Sequence, residues 1–469
     1  MELRRPAQTE LDQMSPEEKD RLIMMLFDTL NDLEKRVQAF ESKIEKNSQN
    51  SSKPPSSDGL KKSAAQPRER GKRSSSGQTG HKGVTRQMVN NPDVTVDLYP
   101  PSQCACGVLL ENLPSTLGER RQQIEIPSPK HEVTEYRQRL VTCTCGRVHP
   151  GEFPSHVTPH VSYGPRLKSY AVGLVLGHFI SLKRVCSLLA DQYEVNPSDG
   201  TIQNWLVAAS EHLKPEYEDY RDTIRHSDVA HFDESGLRVN GQLNWLHVAT
   251  TETTVYYSSH AKRGLLAMND AGILPDFKGC AVHDHWKSYW NYTECSHSLC
   301  NSHHLRELAY CEELTGHYWP IALRKILLTG KEAVATARQA GQTALDAEIL
   351  EQLMNQYDRQ VANGLAACPI KQPAPDQKGR VKQDEATNLL IRLRDYKEQT
   401  LKFLTDWRVP FDNNLAERMV RPIKVKLKVS GGFRAAGGSE AFCILRSIWE
   451  TNKLQNRNPF DTFRFAFAA

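Results

Sequence analysis

The residue pattern predicts a mixed α/β core, a mixed sheet flanked by helices, whose chain is interrupted by a helical insertion. Val229 to Val239 reads as a strand, Asn240-Gly241 as a hairpin turn, and Leu243 to Thr250 and Thr254 to Ser259 as the next two strands. A helix over about Gly264 to Ile273 then leads to Gly279-Cys280-Ala281-Val282-His283-Asp284-His285-Trp286, where an apolar strand ends on an acid. Three antiparallel strands, a helix and a fourth strand ending in Asp are the order of an RNase H-like core. The mostly helical stretch of 133 residues from Asp284 to Glu417 is far longer than such a core needs, which predicts the insertion.

A chain of 469 residues is expected to hold two to four domains. The formal charge is only +4, but it is uneven. Leu60 to Arg86 carries eight Lys/Arg against Glu69 alone, and Asn413 to Arg434 carries six against Glu417 alone. Local basic blocks on a nearly neutral chain point to a polyanionic partner at particular surfaces. No apolar run reaches membrane-spanning length and the N-terminus lacks a signal-peptide core, so no membrane partner is expected and the chain reads as cytosolic. Two tight C-x-C pairs among eleven cysteines, with no secretory context, favour metal binding or free thiols over disulfides.

In chain order, residues 1–46 are expected to form a coiled-coil helix. Leu26, Leu30, Leu33, Val37, Phe40 and Ile44 follow the spacing of an a/d seam, Ser15 caps, and Pro16 takes the first helical position. Self-association is expected from it; a single amphipathic helix lying on the protein is the alternative. Residues 47–92, rich in Ser, Gln, Gly, Pro and Lys/Arg, read as a disordered basic linker. Residues 93–160 hold Cys104-Ala105-Cys106-Gly107 and Cys143-Thr144-Cys145-Gly146 around a strand-rich segment. Cys104, Cys106, Cys143 and Cys145 are candidate zinc ligands, with His149 as a substitute; two strand ends whose thiols merely pack is the other reading. Residues 161–222 turn helical, with helices over about Leu167 to His178, Ser181 to Tyr193 and from Thr201, a turn at Asn196 to Gly200 lying before the last. A helix-turn-helix and a helical spacer are both open.

Residues 223–304 form the first part of the core, ending with a short strand Ser298 to Cys300 that enters a helix carrying His303, His304 and Arg306. Residues 305–406 are the insertion, with long helices over Tyr318 to Ala340, Ala344 to Ala366 and Glu385 to Leu404 and a loop between Pro369 and Gln383. Residues 407–469 complete the core. There, Asp412 or an Asn caps a helix that Pro422 kinks or ends, and the alternation Lys424-Val425-Lys426-Leu427-Lys428-Val429 suggests an extended segment whose lysines share a face.

Glu417 has two readings. The ordinary one is an i,i+4 salt bridge to Arg421. The other is a carboxylate holding a divalent metal, with Arg418, Arg421, Lys424, Lys426 and Lys428 facing phosphate. Phosphoryl transfer needs little covalent help from protein, because two divalent ions can activate the nucleophile and stabilise the leaving oxygen. Carboxylates are suitable hard ligands for them. Asp233 and Asp284 would lie on adjacent strands, with Glu417 returning after the insertion.

Several blocks together resemble one family. They are Asn50-Ser51-Ser52-Lys53-Pro54-Pro55-Ser56-Ser57-Asp58, Gly77-Gln78-Thr79-Gly80-His81-Lys82-Gly83, the cysteine pairs, the Asp233 and Asp284 blocks, and Cys300-Asn301-Ser302-His303. The strongest is Asp412-Asn413-Asn414-Leu415-Ala416-Glu417-Arg418 with Arg421-Pro422, followed by Phe433 to Phe460. Over nearly the whole chain they resemble the DDE transposases of the insertion-sequence-sixty-six group. The resemblance implies Asp233, Asp284 and Glu417 as a catalytic, metal-holding triad for two Mg2+ (or Mn2+) ions. It also implies an N-terminal DNA-binding region with a zinc-binding module, a structural role for Cys300 and His303, and cleavage and strand transfer at the element's ends. DNA of the element ends and target would be the partner, with a homo-oligomer and accessory proteins of the same element expected. A nuclease that only hydrolyses DNA, and a non-catalytic DNA-binding regulator, are the alternatives.

Overall fold

The computed structural model describes residues 14–44, 86–126, 128–157, 161–373 and 381–468. Met1–Leu60 and Val133–Ala469 group into one compact unit, and Lys61–Glu132 into a second. Most of the basic linker, its Asn50 to Asp58 and Gly77 to Gly83 motifs, and part of the loop after Pro369 lie outside the described residues.

Helix α1 spans Pro16–Ile44. Its start is a reciprocal capping box, with the Glu18 N–H donating to Ser15 Oγ (3.3 Å) and the Ser15 N–H to Glu18 Oε2 (2.9 Å). Leu26, Leu30 and Leu33 are exposed on it, while the side chains of Val37, Phe40 and Ile44 lie outside the described residues.

A small hairpin, β1 (Leu140–Thr142) and β2 (Val148–Pro150), follows. The segment between the cysteine pairs is less strand-rich than its sequence suggests. Among the described residues there, β1 is the one strand, because Val and Ile alternate in it with nothing to cover either face.

Four helices lead into the core: α2 (Pro165–Leu176), α3 (Leu182–Tyr193), α4 (Asp199–His212) and α5 (Lys214–Arg225). Ser198 caps α4, its Oγ accepting the Thr201 N–H. Strands β3 (Val229–Val239), β4 (Gln242–Thr250) and β5 (Val255–His260) then form an antiparallel meander. Both residues of the β3–β4 turn have positive φ, Asn240 at 49° and Gly241 at 74°, as a tight primed hairpin requires. A short helix α6 (Leu265–Asp270) leads to β6 (Cys280–His283), which pairs parallel with β3, and β7 (Ser296–Leu299) pairs parallel with β6. The sheet order is β5-β4-β3-β6-β7, a mixed sheet of five strands.

Side chains alternate across this sheet with the strand period of two. Leu237, Leu246, Val248, Val255 and Tyr257 face one core, shared with α2, α4 and the C-terminal helices. Ala230, Phe232, Ala249 and Tyr256 face a second, shared with α5 and the loop around Tyr289.

After β7 come α7 (Asn301–Thr315), α8 (Trp319–Gln339), α9 (Ala347–Ala367), α10 (Glu385–Asp395) and α11 (Lys397–Thr405), which build a core of their own around Leu323, Tyr357 and Leu390. The helix expected over Glu385 to Leu404 is two helices. Tyr396 leaves the helical region (φ −116°, ψ 35°), and its ring packs 4.4 Å from Trp290 and 4.5 Å from His285. A tertiary aromatic contact therefore breaks a run that local propensity would continue.

The chain closes with α12 (Asn414–Ser430), α13 (Ala436–Leu454) and α14 (Pro459–Ala468). Pro422 neither ends α12 nor leaves an extended Lys424–Val429 segment behind it, because the helix continues to Ser430. Ala416, Met419, Val420 and Ile423 make an apolar stripe buried against the sheet, and that burial outweighs the hydrogen bond Pro422 cannot donate. Gly431 (φ 72°) caps the helix, and at Gly432 an added Cβ would lie 2.4 Å from the Arg238 carbonyl oxygen. Phe433 then bonds back to the end of β3.

Gly177, just past α2, allows the closest approach in this core. An added Cβ there would stand 1.9 Å from Trp449 Cζ2, and Trp449 is fully buried. Gly177→Ala is expected to destabilise the protein by about 3 kcal/mol through overpacking, read as a lower midpoint in urea unfolding. An unchanged midpoint would mean that α2 and α13 are free to move apart.

Candidate active site

The register of β3 and β6 places the first two acids. His231 pairs with Val282 in the parallel ladder; Asp233 stands two residues further along β3, and Asp284 is the first residue past the end of β6. Asp233 shares the sheet face of Leu237, the face against which α12 packs.

Glu417 sits in the first turn of α12. Asn413, at the N-cap of that helix, fixes the turn to β3: its Nδ2 donates to the Phe232 carbonyl (2.8 Å) and its Oδ1 meets His231 Nδ1 (2.8 Å). Its own N–H donates to Cys300 Sγ (3.1 Å). Asn413 is 2% exposed, so these contacts are made away from water. The expected cap is thus turned inward, and the helix start is stitched to the strand one residue before Asp233.

Burial, then the charges of Glu234, Asp284 and Glu417, raise the Asp233 carboxyl well above the usual carboxylate range, against the Glu234 N–H bond (2.8 Å) that lowers it. Among the described residues no basic side chain pairs with Asp233 or Asp284; Asp284 Oδ1 accepts the Trp286 N–H (2.9 Å). Asp233 and Asp284, without a basic partner and offering oxygen donors, are the kind of ligand a hard divalent cation takes.

Glu417 does not take the expected salt bridge to Arg421. Its Oε1 lies 3.5 Å from His303 Nδ1 and 3.8 Å from Arg306 Nη2, both on α7. Cys300 Sγ donates to the same oxygen at 3.8 Å. Cys300, His303 and Glu417 offer ligand atoms within 4.8 Å of one another and are, among the described residues, the group placed to hold a metal ion; Asp233, Asp284 and Glu417 are not gathered that closely. Burial pushes the Cys300 thiol up to about 12, so without an ion it is a neutral packing group.

The basic residues after Glu417 follow helical rather than strand geometry. At 100° per residue, Glu417, Arg418, Arg421, Lys424 and Lys428 fall within roughly one third of the circumference of α12. Arg418, Arg421, Lys424 and Lys428 are exposed. Lys426 points away from them, over the Phe433 ring at 5.3 Å, and burial lowers its pKa. The shared face of all three lysines therefore gives way to a face without Lys426.

Sequence reasoning missed Glu234, whose side chain is 2% exposed and pairs with Arg263 (Oε1 to Nη2, 2.5 Å). The Tyr289 hydroxyl donates to its other oxygen (2.8 Å). Burial and then the Asp284 charge push its carboxyl up to about 7 despite Arg263. Its adjacency to Asp233 was the one available signal, and adjacency alone does not distinguish it from a surface acid.

The cysteine pairs lie on twin turns. The Cys104 N–H donates to the Val108 carbonyl (2.9 Å) and Gly107 N–H to Cys104 (2.8 Å); Cys143 with Arg147 and Gly146 with Cys143 repeat this at 2.8 Å each. Gly107 (φ 91°) and Gly146 (φ 84°) adopt the same left-handed turn. Backbone hydrogen bonds lower the pKa of Cys106, chiefly at Val108, and of Cys143, chiefly at Cys145, favouring thiolates.

A mixed five-stranded sheet flanked by helices, with Asp233 on its central strand, defines an α/β protein. Residues 160–441 match the family described as Transposase IS66 family, and the chain belongs to that family. Membership places it among transposases, which bind and process DNA. Residues 3–87 match a family of unknown function (DUF6444). No curated protein matches the chain. No described helix is long and apolar enough to cross a membrane.

Proposed function

We propose that the chain cuts DNA at the ends of its insertion sequence and joins the freed ends to target DNA, using Asp233, Asp284 and Glu417 to hold two divalent ions, Mg2+ or Mn2+. What supports this is Asp233 on the central strand of a mixed sheet in a chain of the transposase family, with no basic partner among the described residues. When bound, the ions would supply Lewis-acid stabilisation of the leaving oxygen and a lowered pKa for attacking water. In cleavage a water oxygen replaces the 3′ oxygen at phosphorus, releasing a 3′-hydroxyl. In joining, that hydroxyl replaces a bridging oxygen in the target, so phosphodiester bonds are conserved.

The strand order β5-β4-β3-β6-β7, antiparallel through β3 and parallel beyond it, supports an RNase H-like core. Arg418, Arg421, Lys424 and Lys428 are suited to bind phosphate beside Glu417. The turn at Cys104 and Cys106 and the turn at Cys143 and Cys145 are each suited to offer thiolates to zinc, and exposed Leu26, Leu30 and Leu33 on α1 support a homo-oligomer through a coiled coil.

Labelled element-end DNA incubated with the protein and a plasmid target tests the chemistry. With Mg2+ or Mn2+ the label is expected in both shortened ends and joined target, and EDTA should remove both. Shortened ends without joined product would favour the hydrolytic nuclease, and neither product would sink the triad.

A further inference from the structure

Arg263, between β5 and α6, is held from three sides. Its guanidinium carbon lies 4.2 Å from the Trp286 ring centroid and 4.8 Å from that of Trp245. Its Nε and Nη2 donate to Glu234 Oε1 at 3.0 and 2.5 Å. The clamp joins the acidic site at two points: Glu234 follows Asp233, and the Trp286 N–H is bonded to Asp284 Oδ1. The Arg263 side chain is nonetheless 39% exposed beside a Glu234 side chain that is 2% exposed.

A buried carboxylate next to two other acids is costly, and a buried ion pair is a weak source of stability. What Glu234 achieves is to hold a permanently charged, planar donor group in one orientation. Nε and Nη2 are engaged, while Nη1 makes none of these bonds, leaving two N–H donors. Stacked indoles, fixed donors and exposed Lys262 and Lys287 adjoining in sequence suit a nucleic-acid backbone.

We propose that Arg263 binds a phosphodiester of the DNA strand being processed, and that the Trp245–Trp286 clamp and Glu234 fix its Nη1 edge for that contact. Arg263 is thus a positioning residue, lining up the strand with Asp233 and Asp284. This rests on the transposase reading of the site and deepens it by naming a backbone contact.

The test uses the full chain carrying Asp284→Asn, so that binding is measured without chemistry, and a fluorescent duplex of the element end. Affinity is followed against salt for Arg263, for Arg263→Lys, and for Glu234→Gln with Arg263→Met. The double variant leaves no buried charge stranded, and thermal unfolding confirms that it folds. Removing one phosphate contact is expected to reduce the slope of log affinity against log salt by about one. Lys should retain the slope but bind less tightly, because it loses the planar fork. In the cutting-competent background the double variant should raise KM about tenfold with a smaller change in kcat. An unchanged slope and KM in a folded double variant would overturn the contact while leaving the chemistry standing. A wild type that binds but never cuts, with the slope still dependent on Arg263, would sink the chemistry and uphold the contact.

Discussion

Asp233→Asn is expected to abolish DNA cleavage, by at least about 10³-fold, and at the same time to stabilise the protein when no divalent ion is present. The two effects have one cause. Burial and the neighbouring acids raise the Asp233 carboxyl well above the usual range, so the folded chain holds a proton that the unfolded chain releases. A carboxyl shifted upward contributes stability that is fully present below its unfolded value and is lost as pH rises through its folded value. At neutral pH the wild type therefore carries a penalty that Asn does not. Glu234, pushed up to about 7, adds a penalty of the same sign that remains in the variant. Thermal unfolding in EDTA should show the variant above the wild type at pH 7, with the gap closing as pH falls toward 4. Mg2+ should raise the wild-type midpoint more than that of the variant, and its uptake should release protons. A variant less stable than wild type in EDTA at pH 7 would contradict the crowded-acid account, and one that still cuts would remove Asp233 from the site.

Asn413→Ala carries the second large effect. It leaves the Phe232 carbonyl and His231 Nδ1 without their Asn413 partner in a site closed to water. Unpaired buried polar groups cost about 1–3 kcal/mol each, so a loss of about 3 kcal/mol is expected. The first turn of α12 would also lose its tie to β3, and Glu417 with it its fixed approach to Asp233. A misplacement of about 1 Å can lower a rate roughly 10²-fold. Cleavage should therefore fall by that much even at temperatures where circular dichroism shows the variant folded, and higher Mg2+ should be needed for half-maximal rate. Full activity in the folded variant would show that Asn413 serves stability alone.

The elements legible in advance were those whose pattern is local. The β3–β4 hairpin could be placed because Asn240-Gly241 demands positive φ at two successive residues. Likewise β6 could be placed because the apolar run Cys280-Ala281-Val282 leads through His283 to an acid. The misreadings came where local preference and packing disagree. Lys424 to Val429 alternates like a strand, but Ala416, Met419, Val420 and Ile423 bury a helical stripe that carries α12 through Pro422. A run of good helix formers from Glu385 onward is broken because Tyr396 finds Trp290 and His285.

By itself the sequence determined the kinds of groups in the site and their order along the chain: two acids at strand positions, a third in the Asp412 to Arg418 block, and cations after it. Residue type and short-range spacing are enough for that, since they act through the local backbone. Only the tertiary structure decided which groups share one environment. The parallel pairing of β3 with β6 puts the strand of Asp233 beside the strand that leads to Asp284, and Asn413 ties the start of the Glu417 helix to β3 although Glu417 lies 133 positions after Asp284. The same packing turned Glu417 from Arg421 toward His303 and Arg306, moved Lys426 off the basic face, and buried Glu234 with Arg263. Pairing, burial and mutual charge depend on distances between residues far apart in sequence, and no single stretch of chain specifies them.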